Sequence, residues 1–179
     1  MVGKVILYYF TGTGNARAAA NWIARISNDK NIPAEICRIT PSLHPVLSEP
    51  ENNTLIGFCY PTHGFNAPPV VIRFLMRFPK GKNQVFLLNT RAGLKLSKLF
   101  LPGLSGLAQL FPALLLWLKG YKIAGLQPMD LPSNWISLHP GLRPKVVASI
   151  FQRCKKITER FAEIGEHTSE LQSPNTISY

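Results

Sequence analysis

Apolar runs alternate with amphipathic stretches along the chain, and this rhythm predicts strands separated by helices. The five strand-like runs are Val2–Tyr9, Ala34–Ile39, Thr54–Tyr60, Gln84–Asn89 and Tyr121–Leu126. Strands that alternate with helices are typical of a parallel sheet covered on both faces. We therefore expect one α/β domain.

Three helices are predicted around these strands. The first follows Tyr9 and repeats small and apolar residues on one face. The second is opened by Asn66 and by Pro68-Pro69, because proline is favoured in the first turn of a helix. A closing helix carries apolar residues at helical spacing at Val146, Val147, Ile150, Phe151, Cys154, Ile157 and Phe161. The simplest interpretation of these stripes is that they form the core.

The segment Leu99–Leu118 interrupts the rhythm, because it contains twenty residues without a charge. Its length would permit a membrane span, but its two prolines and two glycines argue against a spanning helix. An insertion that packs on the domain is one interpretation. Contact with a protein partner or with a membrane surface is another, and the flanking Lys98 and Lys119 suit an anionic surface.

The chain is basic, with a formal charge of +11 over 179 residues. All 20 Lys and Arg but only six of the nine acids precede residue 163, which leaves +14 there. The cations are scattered and accompany no nucleic-acid motif, so we expect an acidic protein or an anionic membrane rather than nucleic acid. Cys37, Cys59 and Cys154 form no Cys-x-x-Cys pair, and no secretory signal precedes the first strand. These features predict a cytoplasmic protein, with peripheral membrane association as an alternative.

Residues 163–179 differ in kind from the rest. They contain no Lys or Arg and have no apolar periodicity, which predicts a disordered terminus. The strings EHTSELQS and ISY also match what a sequencing-library adapter would encode. We therefore expect a domain over residues 1–162 and a tail that does not belong to the natural chain.

A candidate phosphate-binding loop follows the first strand: Thr11, Gly12, Thr13, Gly14, Asn15 and Ala16. Glycines allow close backbone approach, the hydroxyls and the amide can donate hydrogen bonds, and a helix N-terminus favours an anion. A Walker A loop would need a Lys followed by Ser or Thr, and a dinucleotide fingerprint would need glycine at position 17, which is Arg17. Neither motif is present.

The Thr-Gly-Thr-Gly-Asn string after a hydrophobic strand resembles the FMN phosphate loop of flavodoxins. The resemblance implies a flavodoxin-like three-layer α/β sandwich with a five-stranded parallel sheet of order 2-1-3-4-5. The apolar insertion would then lie between strands 4 and 5. FMN would bind at the switch point between strands 1 and 3.

The same resemblance implies two further flavin-binding loops, after strands 3 and 4. The first is Pro61, Thr62, His63, Gly64, Phe65 and Asn66, and the second is Thr90, Arg91, Ala92 and Gly93. Asn89, the last residue of the predicted fourth strand, is a further cofactor-binding candidate. Backbone groups of these loops would bind the edge of the flavin, and Gly64 would supply a peptide that reorients near its reactive nitrogen. Phe65 and Tyr60 are candidate stacking partners for the ring.

Two positions depart from the usual flavodoxin pattern. Ala16 replaces a Thr that commonly closes the phosphate loop, which removes one hydroxyl donor. Arg91 takes the place of an aromatic residue. It is either a solvated loop charge or a cation beside the flavin's pyrimidine edge, where it would raise the reduction potential.

The strings CYPTHGFNAPP, NTRAG, LKGY and MDLPSNWISLHPG resemble the flavodoxin half of proteins that fuse a flavodoxin to a two-cluster ferredoxin domain. This implies FMN-dependent electron transfer with a ferredoxin-type iron–sulfur protein, or with a C-terminal domain lost from this chain. The chain itself has no cysteine run that could hold a cluster. An NAD(P)H-dependent flavin reductase and a nonenzymatic binding scaffold with a vestigial flavin site are the alternatives.

Overall fold

A five-stranded parallel sheet forms the centre of the protein. The computed structural model describes residues 2–42, 53–92, 94–96, 99–101, 106–131 and 148–160. In chain order the strands are β1 (Lys4–Tyr9), β2 (Ala34–Arg38), β3 (Thr54–Pro61), β4 (Gln84–Ala92), β5 (Leu94–Leu96), β6 (Leu99–Leu101) and β7 (Lys122–Leu131). The sheet order is β2-β1-β3-β4-β7, and β5 and β6 form a separate antiparallel pair. Because β7 is the fifth strand of the main sheet, the predicted order 2-1-3-4-5 is confirmed.

Helices cover both faces of this sheet and give the predicted three layers. Helix α1 (Asn15–Asp29) packs on one face together with residues 148–160, which are helical. Helices α2 (Pro69–Arg77) and α3 (Leu110–Leu118) pack on the other face. Because α1 follows β1 onto one face and α2 follows β3 onto the other, the carboxyl ends of these two neighbouring strands are the topological switch point at which doubly wound folds generally bind ligands.

The side chains of the strands alternate between the two faces. In β1, Leu7 packs under α1 and Tyr8 packs under α2. In β3, Gly57 lies where a side chain has no room, because a Cβ there would collide with the ring of Phe86 and lie 2.7 Å from Leu7 Cδ2. This glycine is therefore required by packing, which makes it a useful contrast to the glycines of the phosphate loop.

The insertion between β4 and β7 is anchored firmly at its C-terminal end. Helix α3 ends in a Schellman motif, in which the N–H groups of Gly120 and Tyr121 donate to the carbonyls of Trp117 (2.9 Å) and Leu116 (3.1 Å). Gly120 has a φ of 96°, which favours glycine. Lys119 Nζ donates to two carbonyls at the end of α2, at 3.0 and 2.7 Å. Among the described helices, none is long and apolar enough to cross a membrane.

Three strands extend further than the sequence predicted. β3 continues to Pro61 instead of ending at Tyr60, so Pro61 is a strand residue paired with Thr90 and not a loop residue. β4 continues to Ala92 instead of ending at Asn89, and β7 continues to Leu131 instead of Leu126. Thr90 and Arg91 are therefore strand residues and not loop residues, because their ladder with Met129 and Asp130 continues the sheet. Gly93, residues 102–105 of the insertion, residues 132–147 and the tail 163–179 lie outside the described residues. The division into a domain and a tail stays a prediction.

Candidate functional site

The three segments that were predicted from the sequence to bind the flavin lie at one edge of the sheet. The phosphate loop follows β1, the second loop follows β3, and the third segment forms the end of β4. β3 lies between β1 and β4 and pairs with both in parallel, so all three segments leave the same carboxyl edge. The fold thus assembles one candidate site from distant parts of the chain.

The phosphate loop is a short turn held by its own threonine. The N–H of Gly14 donates to Thr11 Oγ1 at 2.9 Å, and Gly14 has a φ of 95°. Helix α1 begins at the next residue, Asn15, and has no acidic residue in its first turn. The first N–H groups of a helix have no partner inside it, and the helix dipole adds positive potential there. The loop can therefore receive an anion without a lysine or a metal ion.

Open space surrounds the loop's glycines. A Cβ added at Gly12 or at Gly14 would meet no atom within 4 Å, in contrast to the crowded Gly57. Internal packing therefore does not explain the absence of a side chain at Gly12. A cradle that admits a ligand close to the backbone does explain it.

Ala16 contributes to the site differently from its neighbours. Its side chain is buried in the core beneath α1, with Ala19 and Ala20. Thr13 is exposed, whereas Thr11 and Asn15 are partly exposed beside the open space. Because the Ala16 side chain is in the core, Ala16 can contribute to the loop only through its backbone, in the first turn of α1. The candidate side-chain donors are therefore Thr11, Thr13 and Asn15.

The loop after β3 is a tight turn. The backbones of His63 and Asn66 exchange hydrogen bonds of 2.8 and 3.0 Å, and the two residues between them, Gly64 and Phe65, have φ values of 52° and 63°. Positive φ at both central positions is the pattern of a type I′ turn. The turn presents the Phe65 side chain to solvent, with 60% of its surface exposed. Phe65 therefore remains a candidate stacking partner for the ring of a bound ligand.

Asn89 and Thr90 are interior residues that join the second and third segments. Asn89 Nδ2 donates to Thr62 Oγ1 at 2.7 Å, and the Thr62 N–H donates to the Thr90 carbonyl at 2.7 Å. Both Asn89 and Thr90 are buried. These bonds hold the start of the turn against β4, so the Asn89 side chain and the Thr90 backbone carbonyl position the loop.

Arg91 forms an ion pair that the sequence analysis did not foresee. Its Nε lies 2.7 Å from Asp130 Oδ1 and its Nη2 lies 3.2 Å from Oδ2, which is a bidentate geometry. The two side chains are only 16% and 14% exposed. The interpretation of Arg91 as a solvated loop charge is therefore wrong. The pairing with Asp130 was not predicted because the predicted fifth strand ended at Leu126, whereas β7 continues to Leu131 and places Asp130 directly opposite Arg91.

Tyr60 cannot stack on a ligand at this edge. It is fully buried, and its hydroxyl donates to the Ala108 carbonyl at 2.8 Å. Burial raises the pKa of this hydroxyl well above its ordinary range. The strand alternation points Tyr60 into the α2 face, so it attaches the insertion to β3.

The two buried cysteines, Cys59 and Cys154, are unsuited to chemistry at neutral pH. Burial raises the pKa of Cys59 to about 12. Burial, followed by the nearby Asp130, raises the pKa of Cys154 to about 11, and its thiol contacts the Asp130 carbonyl at 3.1 Å. Both thiols therefore stay protonated at pH 7. Within the described ranges, no cluster of three or more His, Cys, Asp or Glu could hold a metal ion.

Comparison with known proteins identifies the fold of this chain. No protein-family model matches the chain, and no curated protein sequence matches it. The flavodoxin of Megasphaera elsdenii is 18% identical with a TM-score of 0.57, over 89% of this chain and 98% of that one. Flavodoxin 1 of Bacillus cereus is 15% identical with a TM-score of 0.58, over 89% and 97%. The azoreductase of Bacillus anthracis is 12% identical with a TM-score of 0.53, over 89% and 98%. The chain has a flavodoxin-like fold.

Proposed function

We propose that this chain binds FMN at the carboxyl edge of its sheet and serves in electron transfer. The observation that carries the proposal is the open, glycine-lined cradle of Thr11–Gly14 at the N-terminus of α1, at the switch point between β1 and β3. Doubly wound folds bind their ligands at such switch points. The fold likeness to flavodoxins supports the same ligand.

The phosphate would be held by neutral donors. Thr13 and Asn15 offer side-chain donors beside the first-turn N–H groups of α1, and Gly12 leaves the backbone accessible. Thr11 has a second task, since its hydroxyl already accepts a bond from Gly14 and so fixes the shape of the loop. An anion bound here would be repelled by no acid in the helix's first turn.

The ring would be bound by the other two segments. The turn His63–Asn66 offers backbone groups and the exposed Phe65, and the hydrogen bonds from Asn89 and to Thr90 keep the turn in place. When bound, FMN would supply the electron chemistry, while the protein supplies binding, orientation and tuning. Arg91 would act on the flavin as half of an ion pair with Asp130, so its influence on potential is weaker than that of a lone cation.

The electron partner is proposed to be a ferredoxin-type iron–sulfur protein or domain. The sequence resemblance to flavodoxin–ferredoxin fusions supports this choice, and the chain's charge of +11 favours an acidic partner. The fold likeness to an azoreductase keeps an NAD(P)H-dependent flavin reductase as the second candidate.

Absorption and reduction experiments test these functions. The purified full chain should be yellow or should bind added FMN, and the bound flavin should be reduced by a reduced ferredoxin but not by NADH or NADPH alone. Rapid bleaching by NAD(P)H without an iron–sulfur protein would favour the reductase. A colourless protein that also rejects added FMN would defeat the proposal and leave a binding scaffold.

A further inference from the structure

One side of the insertion is an exposed apolar surface, which we call the apolar face. Its members are 37 to 64% exposed and follow helical spacing: Leu107, Leu110, Phe111, Leu114, Trp117 and Leu118. The opposite side of α3 is buried through Pro112, Ala113 and Leu116. Isolated exposed apolar side chains are ordinary on protein surfaces, but six large ones on one continuous face are not.

The exposure of this face is built into the fold. The Schellman motif at Gly120 and the two hydrogen bonds of Lys119 to the end of α2 fix the rotation of α3. At the other end, the Leu107 N–H donates to the Phe65 carbonyl at 2.8 Å. With both ends held, α3 cannot roll its apolar face inward without breaking these bonds.

The part of the sequence that contains the apolar face has basic residues and no acidic ones. Residues 52–129 contain nine Lys and Arg and no Asp or Glu. Four of the lysines gather beyond the C-terminal end of α3, where Gly81 N–H donates to the Lys119 carbonyl (3.1 Å) and Lys122 N–H donates to the Asn83 carbonyl (3.0 Å). These lysines are Lys80, Lys82, Lys119 and Lys122.

We propose that the apolar face binds the surface of an anionic lipid bilayer, with α3 lying in the interface and Lys80, Lys82 and Lys122 contacting lipid headgroups, while Lys119 stays bonded to the end of α2. Leu, Phe and Trp on one side with lysines at the end are the features of an interfacial helix. A protein partner fits less well, because protein interfaces carry regular hydrogen bonds and the only hydrogen-bonding side-chain group on this face is the indole N–H of Trp117. Anionic charge complements the lysines.

Vesicle flotation of the full chain tests the binding. We expect binding to vesicles of phosphatidylcholine with 30% phosphatidylglycerol, at least tenfold weaker binding to pure phosphatidylcholine, and a further loss at high salt. Leu114→Glu should reduce binding at least tenfold. Ile36→Glu is the matched control, because Ile36 is 37% exposed on the edge strand β2 and should leave binding unchanged.

The lysines are tested separately. The double variant Lys80→Gln, Lys82→Gln should reduce binding about tenfold, whereas Lys155→Gln, Lys156→Gln on the helix 148–160 removes the same charge and should not. Circular dichroism and urea midpoints establish that each variant is folded. Equal binding by Leu114→Glu and Ile36→Glu, or no binding to any vesicle, would overturn the proposal. So would a dimer in light scattering that Leu114→Glu converts to a monomer, because the face would then be covered by a second copy.

Discussion

An acidic side chain at position 12 should weaken phosphate recognition and leave ring recognition intact. Gly12 is the suitable position because its φ lies outside the left-handed region, unlike that of Gly14, and because a side chain there meets no atom within 4 Å. Gly12→Asp therefore places a carboxylate in the cradle without strain or collision. The protein should fold normally, and any loss of affinity should come from charge.

The magnitude follows from Coulomb's law. A carboxylate about 6 Å from a phosphate of charge about −1.5 costs about 1 kcal/mol at the permittivity of water and about 4 kcal/mol at an effective permittivity of about 20. The dissociation constant of FMN should therefore rise at least about fivefold. Riboflavin has no phosphate, so its affinity should hardly change. Added salt should reduce the difference, since the loop is partly exposed.

Fluorescence titration of the chain with FMN and with riboflavin measures both affinities. Asn31→Asp is the control, because it adds the same charge at an exposed turn beyond the other end of α1 and its φ of 60° is tolerated by Asp as well as Asn. If Gly12→Asp weakened FMN and riboflavin equally, or weakened FMN no more than Asn31→Asp does, the phosphate would not lie in this loop.

Three further predictions concern the framework of the site. Gly57→Ala should lower the free energy of unfolding by about 1 to 3 kcal/mol through collision with Phe86; urea unfolding would show this, and an unchanged midpoint would contradict the packing. Asp130→Asn should cost about 1 to 3 kcal/mol by removing the carboxylate from its ion pair with the largely buried Arg91, whereas Asp29→Asn at the exposed end of α1 should cost less than about 0.5 kcal/mol; equal costs would mean that the pair is unimportant. Burial raises the pKa of Cys59 from 9.0 to about 12, so the unfolded chain releases this proton first and the free energy of unfolding should fall as the pH rises from 9.0 toward 12. Urea titrations at several pH values give the slope of the free energy of unfolding against pH, and Cys59→Ala should reduce this slope by the contribution of about one proton. An identical slope in the variant and the original chain would argue against the raised pKa.

The order of the sheet and the position of the phosphate loop were predictable from sequence because each has a local signature. Apolar runs bounded by polar turns locate strands, and Thr11–Asn15 follows one of them directly. The ends of β4 and β7 were not predictable in this way. Thr90, Arg91 and Asp130 are polar, and polar residues at the end of an apolar run are the usual sign of a loop. Their strand pairing, together with the Arg91–Asp130 ion pair, joins residues 39 positions apart and has no local signature.

The two aromatic candidates for ring stacking show a related limit of prediction from sequence. Tyr60 and Phe65 both stand near the end of β3, and their residue types alone do not separate them. The structure separates them by direction: the alternation of β3 turns Tyr60 inward to the Ala108 carbonyl, and the positive φ of Phe65 turns it outward. Alternation could have identified Tyr60 as an inward residue, since Ile56 and Phe58 share its face. The turn geometry of Phe65 depends on Gly64 and could not be located from periodicity.

The contact between the insertion and the turn after β3 makes the two parts thermodynamically linked. The Phe65 carbonyl accepts the Leu107 N–H, and a Cβ on Gly106 would come within 2.5 Å of that same oxygen, so residue 106 is seated directly on the turn. A change in the Phe65–Asn66 peptide, to which this carbonyl belongs, must therefore move, or be resisted by, the start of the apolar face. Linkage is reciprocal. Whatever binds the apolar face and favours one geometry of the turn will alter the affinity of the site for its cofactor by the same factor by which the cofactor alters binding at the face.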